Sequence, residues 1–304
     1  MKRAARRRVV VVRPGEPGRA REDALAIEEP LEIRVGGVPF SVTMRTPGDD
    51  FDLVAGFLVS EGVVASTDDL AAMRVVTGIA RSGDPTFNIV EATVTGGGLA
   101  VAAARARNVY TSSSCGVCGL ASIDAVTTAS AWPILSAGFT VDDVVLAALP
   151  DRLRAEQRLF DSTGGVHAAG LFDGDGTLLV LREDVGRHNA VDKVVGWALR
   201  EGRLPLARTV LQVSGRASFE LVQKARMAGI PVLAAVSAPS SLAAELAEEA
   251  GITLIGFSRG AAFNVYAGAA RVRRTGRLDA AAPASVPSSP PDSLQPATNS
   301  RGVR

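Results

Sequence analysis

Cysteine is nearly absent from this chain. Two occur in 304 residues, both in one stretch, Ser112-Ser113-Ser114-Cys115-Gly116-Val117-Cys118-Gly119. A single C-x-x-C with no further thiol excludes a secreted disulfide framework. Aromatic residues make up only 5%, too few for a single-strand nucleic-acid binder built on stacking platforms. Neither sign of charge dominates: 33 lysines and arginines face 32 aspartates and glutamates. No global field draws a polyanion, and no nucleic-acid partner is expected. Long apolar runs are lacking too, so no membrane span is expected. The run at 9–12 that follows Met1-Lys2-Arg3-Ala4-Ala5-Arg6-Arg7-Arg8 is too short for a signal-peptide core. The expected compartment is the cytoplasm, where thiols stay reduced.

What is present supports a large core. Hydrophobic residues make up 47% and charged ones 21%, enough for one large domain or two modest ones. Residues 1–24 read as a basic, solvated, disordered arm, and 278–304, with Pro283, Pro287, Pro290, Pro291 and Pro296, as a disordered tail. Residues 25–108 read as a small α+β domain. Segments 32–35 and 38–43 flank Gly36-Gly37 as a hairpin, and a helix follows Asp49 and Asp50. Strands are expected at 87–94 and 99–103, around Gly96-Gly97-Gly98.

Residues 109–277 read as a larger α/β domain. A helix is expected over 141–159, interrupted at Pro150, then a hairpin of 166–172 and 177–181 around Asp173-Gly174-Asp175-Gly176, then a helix over 190–199. From 209 onward, strands (209–213, 231–236, 253–257) alternate with helices (219–227, 241–250). That alternation predicts parallel strands covered by helices on both faces.

Four constellations could carry chemistry. The C-x-x-C admits three readings. Zinc needs two more ligands, and the only histidines, His167 and His188, stand far downstream at no finger-like spacing. A thioredoxin-like dithiol normally opens a helix directly after the first strand of a small domain. A persulfide carrier needs a thiolate made nucleophilic near a helix N-terminus, and 120–129 reads as helical. The second constellation, Asp161-Ser162-Thr163-Gly164-Gly165-Val166-His167-Ala168-Ala169, echoes the H-x-E of zinc deaminases. Ala169 replaces the proton-shuttling glutamate, and the C-x-x-C precedes the histidine. A deaminase-like scaffold without deaminase chemistry fits that pattern, and His167 could equally be a hydrogen-bonded core residue. The third, residues 182–193, gathers Asp184, Arg187, His188, Asp192 and Lys193, with Asn189 as a helix cap and Arg187 and His188 placed to face a ligand anion. The fourth is the set of turns Ser214-Gly215-Arg216-Ala217-Ser218, Ser237-Ala238-Pro239-Ser240-Ser241 and Ser258-Arg259-Gly260. On parallel strands these lie along one sheet edge, where helix N-termini, serine hydroxyls and two arginines suit a phosphorylated, nucleotide-like ligand.

Cys-Gly-Val-Cys-Gly at 115–119, Thr-Gly-Gly-Val-His-Ala-Ala at 163–169, Glu-Asp-Val-Gly-Arg-His-Asn-Ala-Val-Asp-Lys at 183–193, Ser-Gly-Arg at 214–216 and Phe-Ser-Arg-Gly at 257–260 together resemble the FdhD/NarQ family. The resemblance covers roughly 25–275. It implies a cytidine-deaminase-like three-layer α/β/α domain preceded by a small α+β domain. It implies a sulfurtransferase required for formate dehydrogenase activity, moving sulfur from a cysteine desulfurase to the molybdenum (or tungsten) bis(molybdopterin guanine dinucleotide) cofactor, with no intrinsic metal. It implies a homodimer. Cys115 matches the persulfide-carrying cysteine, with Cys118 as a helper. Phe257, Ser258, Arg259, Gly260, Ala261 and Ala262 match the cofactor-binding stretch, to which the residue reading adds Ser214, Gly215, Arg216 and His188. The competing expectations are a non-catalytic chaperone that delivers the cofactor to the apo-dehydrogenase, and a redox dithiol protein.

Overall fold

A computed structural model describes residues 2–79, 85–106, 130–134 and 138–276. The thiol-bearing stretch, the helix expected at 120–129 and the proline-rich tail lie outside them. In chain order the elements are β1 (Ala4–Val11), β2 (Arg19–Ala26), β3 (Glu29–Val35), β4 (Val38–Arg45), α1 (Asp50–Ser60), β5 (Leu70–Ile79), β6 (Pro85–Val94) and α2 (Gly98–Ala106). After the break come β7 (Val141–Asp142), α3 (Asp143–Ala155), α4 (Arg158–Thr163), β8 (His167–Asp173), β9 (Leu178–Asp184) and α5 (Arg187–Arg200). The rest is β10 (Thr209–Val213), α6 (Phe219–Met227), β11 (Val232–Ala235), α7 (Ser241–Glu249), β12 (Thr253–Arg259), β13 (Ala262–Ala267) and β14 (Val272–Arg273).

The principal sheet has six strands in the order β13-β12-β11-β10-β8-β9. The β10, β11 and β12 strands are parallel, and β8 runs antiparallel to β10. Successive residues point to opposite faces. Ala168, Phe172, Val210, Val232, Ala234 and Ile255 pack on Leu146, Leu149 and Leu153 of α3. Their neighbours Ala169, Leu171, Leu211, Val213, Leu233 and Leu254 pack on α5 and α6. Both faces are covered, so these strands read as unbroken apolar runs, and the three-layer α/β/α architecture follows. Gly229 and Gly251, both at positive φ, end α6 and α7. In each case the next residue donates back to the helix, Ile230 N–H to Ala225 O and Ile252 N–H to Ala247 O, each at 2.8–2.9 Å. This closure turns each helix into the following strand.

A second sheet, β4-β3-β6-β5, belongs to the smaller unit. Its Leu31, Ile33, Val90 and Ala92 cover α1, and α1 packs on α5, so one apolar core runs through both sheets. No helix among the described residues is long and apolar enough to cross a membrane.

Four expectations are corrected. Most of residues 1–24, expected as a disordered arm, forms with Leu25 and Ala26 the β1–β2 antiparallel hairpin. Val9–Val11 supply β-favouring residues, and the turn between the strands carries Gly15 at φ +84°. The segment 99–103 is helix, because the alanines after Gly98 favour helix over strand and a short apolar run does not distinguish the two. Pro150 does not interrupt α3, which breaks instead at Glu156 and Gln157. A proline inside a helix costs about 3 kcal/mol, here offset by the burial of Leu146, Leu149 and Leu153. Asn189 lies inside α5, whose N-cap is Gly186.

Candidate functional site at the carboxyl edge of the parallel strands

Because β10, β11 and β12 are parallel, their carboxyl ends share one edge, and antiparallel β8 begins there. The turns beyond the strands are stitched together. Ser237 N–H donates to Gly215 O (3.3 Å), Ser240 N–H to Ala217 O (3.1 Å), and Phe257 N–H to Ser237 O (3.2 Å). Ser214 Oγ accepts from Ala168 N–H at 2.9 Å, and Ser214 N–H donates to Ala168 O at 3.0 Å. The start of β8 is thereby fixed to the end of β10. A cavity of about 490 Å³ opens here, with Phe160, His167, Ser214, Val236 and Arg259 in its wall.

Three arginines reach this edge. Arg216 and Arg259 are exposed and Arg187 is half-buried. Among the described residues none has a carboxylate partner, and the buried Arg187 Nε has no hydrogen-bond acceptor. Three buried cations elsewhere are paired with carboxylates: Arg45 binds Asp50 and Glu29, Lys193 binds Asp184 at 2.7 Å, and Lys224 binds Asp192 at 2.8 Å. Buried charge is tolerated when paired, and guanidinium groups without a carboxylate partner along one edge suit an anion supplied from outside. The first turn of α5 adds backbone N–H groups that no side chain caps. The same holds for α6, whereas Ser240 caps α7 by accepting from Ala243 N–H at 3.2 Å.

Gly215 lies against the Arg187 and His167 side chains. A Cβ there would stand 3.5 Å from His167 Nδ1 and 3.7 Å from Arg187 Cδ. Burial, reinforced by Arg187 and His188, holds the His167 imidazole below its ordinary titration range. At neutral pH it is a neutral imidazole in the cavity wall. His167 lines the cavity together with Ser214 and Val236.

His188 turns elsewhere. Its Nε2 lies 2.5 Å from Glu220 and 3.4 Å from Ser218 Oγ, so it faces the first turn of α6. Its sequence neighbour Arg187 lies instead against Gly215, next to the cavity-lining Ser214. Most of the dense 183–193 motif is internal. Glu183 accepts from Leu159 and Phe160 N–H, both at 2.8 Å, and so caps α4. Asp184, Asp192 and Lys193 are buried among protein partners.

The 257–262 stretch divides in the same way. Ser258 is buried, with Oγ 3.5 Å from Gln212 Oε1. Phe257 and Arg259 face outward, the guanidinium 6.0 Å from the ring centroid. Gly260, at φ +60°, and Ala261 form the turn that leads into β13 at Ala262. Phe257 itself has φ +52°, a conformation that costs a non-glycine residue about 1–2 kcal/mol. Cys115 and Cys118 lie outside the described residues.

The FdhD/NarQ family model matches residues 26–273. This chain belongs to the FdhD/NarQ family. Its relatives include the sulfur carrier protein FdhD of Streptomyces avermitilis, 58% identical over 275 residues, covering 88% of this chain and 95% of that protein. The protein of the same name from Mycobacterium tuberculosis is 55% identical over 256 residues, covering 83% and 92%. A solved structure from Desulfotalea psychrophila, described as a formate dehydrogenase accessory protein, superimposes with a TM-score of 0.68 over 90% of this chain and all of that one. At 24% identity it shows the shared fold. The β1–β2 hairpin falls almost wholly outside the FdhD/NarQ match, while the arginine-bearing edge falls inside it.

Proposed function

We propose that this chain is a sulfur carrier in formate dehydrogenase maturation, acting as a sulfurtransferase toward the molybdenum or tungsten bis(molybdopterin guanine dinucleotide) cofactor. The observation that carries the reading is that Arg187, Arg216 and Arg259, none with a carboxylate partner among the described residues, stand along one edge, beside a cavity whose wall includes Arg259. A dinucleotide-bearing substrate presents pyrophosphates, which guanidinium groups and uncapped helix N–H groups bind well. Neutral His167 offers the cavity a hydrogen bond without adding a like charge to the arginines.

The thiol steps belong to Cys115 and Cys118. The Cys115 thiolate attacks the outer sulfur of a persulfide on a cysteine desulfurase. The donor cysteine leaves as a thiolate, and a new S–S bond remains on Cys115. Cys118 then attacks Cys115 Sγ and expels hydrosulfide toward the metal of the bound substrate. A Cys115–Cys118 disulfide remains, for a dithiol reductant to reopen. The molecule works as a homodimer and delivers the sulfurated cofactor to formate dehydrogenase.

Cys115→Ala separates this reading from a cofactor chaperone. Binding of guanosine diphosphate (GDP), as a fragment of the substrate, is retained, and activation of co-expressed formate dehydrogenase is lost. Activation that survives in the variant means that the chain delivers the cofactor without transferring sulfur.

A further inference from the structure

Thr46 lies in the connection between β4 and α1, on the smaller unit, and is fully buried. All three of its polar groups bind the segment that carries Arg187. Its N–H donates to Asp184 Oδ2 at 3.1 Å, its Oγ1 accepts from Val185 N–H at 3.1 Å, and its carbonyl accepts from Lys193 Nζ at 2.9 Å. The end of β4 extends the grip. Asn189 Nδ2 donates to Met44 O at 2.7 Å, and Asn189 Oδ1 accepts from Thr43 Oγ1 at 3.2 Å. Residues on both sides of Arg187, namely Val185 and Asn189, are therefore held by residues 43–46. The Arg187 side chain between them finds, among the described residues, no partner for its Nε, and it lies along Gly215.

We infer that Thr46 is a positioning residue for the ligand edge: it fixes the β9–α5 turn so that the Arg187 guanidinium is aimed at the bound anion. The inference rests on the reading of this edge as a pyrophosphate site. It gives the smaller unit a part in ligand binding although the residues of its sheet stand behind α1 and α5. The Oγ1–Val185 bond is the link to test, because a hydroxyl can be removed at nearly constant volume while the two backbone bonds of Thr46 stay in place.

The test is calorimetric titration of the full chain with GDP for wild type, Thr46→Val, Thr46→Ser, Arg187→Gln and the double variant Thr46→Val/Arg187→Gln, with a thermal melt of each. Thr46→Val is expected to weaken GDP about three- to tenfold, the worth of one buried hydrogen bond. Thr46→Ser should bind like wild type. The double variant should bind no more weakly than Arg187→Gln alone, since the hydroxyl acts through that arginine. Should Thr46→Val fail to fold, Thr46→Ala removes the same hydroxyl. Wild-type affinity without the hydroxyl, or losses that simply add in the double variant, would overturn the inference and leave the edge as a nucleotide site. A wild-type chain that does not bind GDP would overturn the reading of the edge, and this inference with it.

Discussion

Gly56 of α1 and Gly196 of α5 meet at the crossing of the two helices, with no room for a methyl group on either. A Cβ on Gly56 would stand 1.8 Å from Asp192 O, and one on Gly196 would stand 1.8 Å from Asp52 O. The obstacle in each case is backbone, which no rotamer change relieves. This contact joins the smaller sheet to the layer that carries Arg187.

Gly56→Ala and Gly196→Ala should each therefore lower stability by about 3 kcal/mol or more, the upper range for an overpacked interior. Chemical denaturation measures the loss. Gly97→Ala is the control, since nothing stands within 4 Å of its Cβ position, and its effect should stay within about 0.5 kcal/mol. Equal effects at Gly56 and Gly97 would mean that the helices separate without cost.

Phe257 separates folding from binding. Replacing it by glycine relieves a left-handed backbone worth about 1–2 kcal/mol and gives up a comparable amount of partial ring burial. Phe257→Gly should accordingly melt close to wild type while binding GDP more weakly, because Arg259 loses the ring that orients it. A large drop in melting temperature would show that the ring is part of the core.

His167 predicts a pH dependence of stability. Its folded pKa lies below the ordinary 6.5, so on acidification the unfolded chain takes up a proton that the folded chain refuses. The stability associated with neutral His167 is complete above about pH 6.5 and declines as pH falls below it. Relative to His167→Gln, wild type should lose unfolding free energy between about pH 7.5 and pH 5. Parallel curves for the two proteins would show that the imidazole protonates freely.

Much of this was legible in the chain. The alternation after residue 209 specified parallel strands because both of their faces are buried, and parallel strands place Ser214, Arg216 and Arg259 on one edge. The 183–193 motif misled. Its density of polar groups suggested a ligand surface, yet Asp184, Lys193 and Asp192 bind Thr46, Ser60 and Lys224. Those partners include residues more than a hundred positions away, and no local pattern announces them. The choice between Arg187 and His188 was equally hidden. The two are adjacent, and only the structure shows that His188 pairs with Glu220 of α6 while Arg187 lies against Gly215. The helix at α2 was missed because a short alanine-rich run after three glycines carries no period long enough to separate helix from strand.

The account stands on sulfur passing through Cys115. Incubating the full chain with a cysteine desulfurase and cysteine, then locating added mass by mass spectrometry, tests that directly. One additional sulfur atom on Cys115, removed by a reductant and absent from Cys115→Ala, is the predicted result. Unmodified Cys115 after full turnover of the desulfurase would contradict it.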